Sequence, residues 1–103
     1  MRHVRRMQEI VKKDPKDAFF PWLLLLRELF TGYLDGSVTA DEVSDATAVW
    51  HFSDFSRELL TIDPRAERLK DALIISHCRY PEEKRKEDVK ALLRLVDRLI
   101  VSV

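Results

Sequence analysis

Apolar residues recur along this chain at helical spacing, and no stretch alternates as a surface strand would. Val4, Met7, Ile10 and Val11 share one face of a first helix, which Asp14-Pro15 should stop. Pro21 suits the first turn of a second helix that runs through Trp22 to Leu26, Leu29 and Phe30. That segment is apolar nearly all round, so it should be the central, most buried helix. Gly32 and Asp35-Gly36 then form a loop, and Thr39 with Glu42 three residues later reads as a capping box opening a third helix.

A slip of helical phase follows. At 100° per residue Val43, Ala46 and Trp50 lie on one face, whereas Phe52, Phe55 and Leu59 lie on nearly the opposite one. One straight helix cannot bury both sets, so a break is expected between His51 and Asp54 with Ser53 as the new N-cap. Asp63-Pro64 reads as the start of a helix through Leu69, Ala72, Leu73 and Ser76. After Tyr80-Pro81, Glu82 and Glu83 suit the positive end of a last helix. Its stripe is Val89, Leu92, Leu93, Val96, Leu99, Ile100 and Val103. The expectation is an all-α fold in which residues 1–103 form a single compact bundle of about five helices.

Composition narrows the function classes. Eighteen basic residues balance eighteen acidic ones over 103 positions, and 46% of residues are hydrophobic, which fits one folded domain. Cys78 is the only cysteine, so no internal disulfide can form, and a reducing, cytoplasmic setting is expected. The longest uncharged apolar run, Ala18 to Leu26, is nine residues where a membrane span needs roughly 20, so no membrane association is expected. The zero net charge conceals an uneven distribution. Residues 1–32 carry +3, residues 33–63 carry −6 with Arg57 as the only base, and residues 64–103 carry +3.

Known chemical motifs are missing. There is no glycine-rich phosphate loop, no nucleophile elbow, and no His or Cys spacing that would hold a metal; His77-Cys78 is read as part of a helix end. Neither an enzyme nor a cofactor is expected. Asp35 to Glu42 imitates the second half of a calcium-binding loop, but the first and third ligand positions would be Thr31 and Tyr33, which lack carboxylates. No metal site is assigned. The first helix carries Arg2, Arg5, Arg6, Lys12 and Lys13, which could meet phosphates, yet Asp41, Glu42 and Asp45 would repel them from the helix after the turn. Nucleic acid is therefore the second choice of partner. A third possibility is a helical adaptor or homodimer subunit that uses the C-terminal apolar stripe.

The acidic segment carries the first choice. Asp41 and Asp45 form a like-charge i,i+4 pair, and Glu42 and Asp45 an i,i+3 pair, each unfavourable by a few tenths of a kcal/mol. Such a surface is suited to cover a basic protein groove. The stretch Leu25 to Val43, with Asp35-Gly36-Ser37-Val38-Thr39-Ala40-Asp41-Glu42 at its turn, resembles the opening helix, turn and second-helix start of colicin D-type immunity proteins. Tyr80-Pro81-Glu82-Glu83 and Asp88-Val89-Lys90-Ala91-Leu92-Leu93 are similar to the ending of that family. The resemblance implies a small helical inhibitor that occludes a tRNA-cleaving toxin. On that reading Asp41, Glu42 and Asp45, with Asp35, Asp54 and Glu58, would stand in for RNA phosphates, and Tyr33 and Trp50 are candidate aromatic anchors.

Overall fold

The chain is described by a computed structural model covering residues 2–77 and 81–103. The elements are α1 (Arg2–Val11), α2 (Pro15–Asp35), α3 (Ala40–His51), α4 (Asp54–Ile62), a 3-10 helix (Pro64–His77) and α5 (Glu82–Ser102). All the described secondary structure is helical, and the number of helical elements is one more than expected. The pairing of His77 with Cys78 and the turn at Tyr80 lie outside the described residues.

α2 begins at Pro15, six residues before the expected start. Asp14 is its N-cap and accepts a hydrogen bond from the Lys16 N–H at 3.1 Å, and Pro15 occupies the first turn, where its missing N–H costs nothing. Pro21 is thus an interior residue whose ring interrupts one rung of the ladder. Burial of Ala18 and Phe19 ahead of it holds that first stretch in the helix. Gly36 ends α2 in the left-handed region at φ 89°, and the Ser37 and Val38 N–H groups both close on the Gly32 carbonyl.

The break after His51 is present, and its cause is aromatic. Trp22 of α2 meets Trp50 of α3 edge-on at 5.0 Å and Phe55 of α4 at 5.1 Å. Turning the chain between α3 and α4 lets two out-of-phase faces reach one indole. Ser53 stands at the expected N-cap position, but its hydroxyl donates back to the Trp50 carbonyl at 2.6 Å and caps nothing in α4. Phe52 departs from the expected face: Phe55 and Leu59 are buried, whereas the Phe52 ring lies in solvent.

From Pro64 onward the helix is 3-10 over 14 residues, a long run for that geometry. Ala66, Leu69, Ala72 and Ile75 are buried at a strict spacing of three, which is the period that aligns one face of a 3-10 helix. This face lies against α3, where the buried Ser44 hydroxyl donates to the Leu73 carbonyl at 2.6 Å. α2 packs along α5, and α1 spans α2 and α3. α5 buries Val89, Leu92, Leu95, Val96 and Leu99. Leu95 was not expected there, and Val103, expected in the stripe, is exposed beyond the last turn.

Candidate partner-binding surface

The turn from α2 to α3 sets the first group of carboxylates. Asp35 closes an Asx-type turn by accepting the Ser37 N–H at 2.9 Å. Ser37, through its hydroxyl and its backbone N–H, holds the Asp35 carboxyl below its ordinary pKa. Thr39 Oγ1 accepts the Glu42 N–H at 3.1 Å, so half of the expected capping box forms. The other half does not. The Glu42 carboxylate turns instead to His3 Nδ1 of α1.

That contact belongs to a charge network unforeseen from the sequence, because its members are remote along the chain. His3 is 12% exposed at its side chain and also places Nε2 3.7 Å from Glu28 Oε1. Glu28 receives Arg6 at 2.6 Å and Arg2 at 3.2 Å. Partial burial acts to raise the Glu28 pKa, but the Arg6 hydrogen bond and the charges of Arg6, His3 and Arg2 outweigh it and lower the value. Arg2, His3, Glu28 and Glu42 border a shallow cleft of about 430 Å³ that Gly32, Ser37 and Val38 also line. Two of the three arginines of α1 are therefore engaged, Arg2 and Arg6 both serving Glu28, and Lys12 just beyond the helix lies 3.4 Å from Glu9 at the surface.

Asp41 and Asp45 are different. Both are exposed on the outer side of α3, and neither has an ion pair or side-chain hydrogen bond among the described residues. The helix N-terminus offers Asp41 some compensation, in keeping with its place in the first turn. Asp54 sits in the first turn of α4 with Arg57 at 3.5 Å, and Glu58 is exposed one turn later. The structure thus groups Asp35, Asp41, Glu42 and Asp45 around one turn and its following helix, with Asp54 and Glu58 on the next helix.

Neither proposed aromatic anchor is at the surface. Trp50 is 0% exposed, since its indole fills the space beside Trp22, and Tyr33 is 7% exposed at the buried end of α2. Helical phase already placed Trp50 with Val43 and Ala46, and that argument outweighs its attraction as an interface residue. Among the described residues the most exposed aromatic is Phe52, at 78%.

Among the described residues, no three His, Cys, Asp or Glu side chains converge to hold a metal ion, and no helix is long and apolar enough to cross a membrane. No protein-family model matches the sequence, and comparisons with curated proteins and with solved structures find no match.

Proposed function

We propose that this chain is an inhibitory, immunity-type binding protein that neutralises a toxin by covering a basic protein surface, without turnover. The reading rests on one observation: among the described residues the exposed carboxylates of Asp41 and Asp45 have no ion-pair partner, while Arg2 and Arg6 of α1 both pair with Glu28. Unneutralised like charges one turn apart disfavour the isolated chain and are relieved by a cationic partner. A groove that binds tRNA phosphates presents that kind of surface, which makes a tRNA-cleaving nuclease the first partner class to seek. Asp35 and Glu42 flank the contact; Asp54 and Glu58 extend it only for a partner large enough to reach α4.

Nucleic acid fits less well. Phosphate binding would have to displace Arg2 and Arg6 from Glu28 or rely on Arg5 and Lys13. The adaptor reading loses its surface as well, since α5 spends its apolar face against α2 and the 3-10 helix. The test is comparative capture with two baits, the natural chain and the Asp41→Lys, Asp45→Lys double variant. A protein with a basic groove should be retained by the first and lost from the second; equal retention would refute the proposal.

A further inference from the structure

The sequence assigned anchoring to Tyr33 and Trp50, which the fold buries, so the acidic face has no apolar contact among the residues first considered. Phe52 supplies one. Its N–H still donates to the Ala48 carbonyl at 3.1 Å, so its backbone stays on the helical ladder of α3 as the last turn closes. At 100° per residue Asp41, Asp45, Ala48 and Phe52 then fall within a sector of about 60°. They form a ridge roughly 16 Å long, acidic at its start and aromatic at its end.

We propose that Phe52 is the apolar anchor of this ridge, and that the ridge docks on a protein surface in which an apolar pocket lies beside a basic patch. The inference rests on the binding role proposed above and adds to it the residue that sets specificity. Phe52 contributes little to the core: its ring lies roughly perpendicular to that of His51, with centroids 4.8 Å apart, and is 78% exposed. Its position is nonetheless fixed from below. Trp50 is locked against Trp22, and the Trp50 carbonyl accepts both the Ser53 N–H at 3.2 Å and the Ser53 hydroxyl at 2.6 Å. An aromatic held on rigid backbone loses little freedom on binding, which is the character of an interface anchor. The other strongly exposed apolar side chains lack this setting. Leu24 lies beside Arg27, which pairs with Asp97 of α5; Leu60 stands near the end of α4, one turn after Arg57, which pairs with Asp54; and Val101 and Val103 belong to the C-terminal turn. The unpaired carboxylates select the sign of the partner, and the ring selects a pocket next to it.

Two synthetic 12-residue peptides of equal charge provide the probes, one alternating Arg with Leu and the other alternating Arg with Gly. Each is titrated into the full-length protein labelled with nitrogen-15, following backbone amide shifts. The Arg/Leu peptide should bind at least tenfold tighter, shifting amides from Asp41 to Phe52, and Phe52→Ala should abolish that advantage with the melting temperature unchanged. Equal affinity of the two peptides, or an advantage that survives Phe52→Ala, overturns the anchor while leaving the acidic face in place. If neither peptide shifts Asp41 and Asp45, or if Asp41→Lys with Asp45→Lys leaves Arg/Gly binding intact, both the anchor and the acidic-face reading fail.

Discussion

The two glycines, Gly32 and Gly36, stand four residues apart and are required for opposite reasons. A Cβ on Gly32 would lie 2.4 Å from Val38 Cγ2 and 3.1 Å from Ser37 Oγ, so the loop could not fold back onto α2 without moving. Gly36 has open space around it but a φ of 89°, which penalises any other residue through the backbone alone. Gly32→Ala should gain some helix propensity yet lose about 1–3 kcal/mol to overpacking against the stiff Val38 side chain. Adding Val38→Ala should recover part of that loss, whereas Gly36→Ala should cost about 1 kcal/mol whatever stands at 38. Chemical denaturation of the four variants checks both. Glu28 gives a pH signature. Its pKa is lowered in the fold, so its contribution is fully present above the unfolded value near 4.5 and is lost as pH falls through the folded one. Glu28→Gln should lower stability at pH 7 by about 1 kcal/mol or less, given how solvent screens a partly exposed pair, and the difference should vanish in strong acid. A melting series against pH tests this; a deficit that persists in acid would mean that the Glu28 packing matters more than its charge.

At the scale of elements, the sequence was most legible where a signal was local. Thr39 and Asp14-Pro15 announced helix ends through their own side chains, and the phase slip between Trp50 and Phe55 revealed the break because both rings had to be buried. Three features were misread for identifiable reasons. Pro21 drew attention from Pro15, although only the earlier proline has a capping Asp before it. The segment after Pro64 was read with a period of 3.6, whereas Ala66, Leu69, Ala72 and Ile75 already follow a period of three. Phe52 was grouped by phase with Phe55 and Leu59, but its backbone still follows the ladder of α3, on which position 52 falls on the outer face with Asp41 and Asp45. Pro21 also yields a prediction. Pro21→Ala should restore a donor within α2 and raise stability by about 1–2 kcal/mol, the helix-interior penalty of proline outweighing its rigidity in the unfolded chain. A lower melting temperature for this variant would show that α2 has adapted its packing to the ring.

For the molecule as a whole, charge placement matters more than net charge. A neutral chain of 103 residues folds so that α1 sets Arg2 and Arg6 on Glu28 and His3 on Glu42, and the charged side chains left outward on α3 include Asp41 and Asp45. The charge island was visible in the sequence, since counting reveals it. Which carboxylates are engaged was not, because Glu42 is claimed by a residue 39 positions away, whereas Asp41, its neighbour, has no ion pair among the described residues. This arrangement predicts no appreciable binding to duplex DNA or RNA at near-physiological salt. A micromolar, steeply salt-dependent complex that disappears in Arg5→Ala, Lys13→Ala would instead place function on α1 and the turn that follows it. The central claim is that Asp41 and Asp45 bind a basic partner and contribute little to folding. Its most direct test is calorimetric titration of the captured partner with the natural chain and with the Asp41→Lys, Asp45→Lys variant, alongside their melting temperatures. Affinity should fall at least tenfold, about 1.4 kcal/mol, with the fold as stable as before; unchanged affinity in a folded variant would refute the binding role of the two carboxylates.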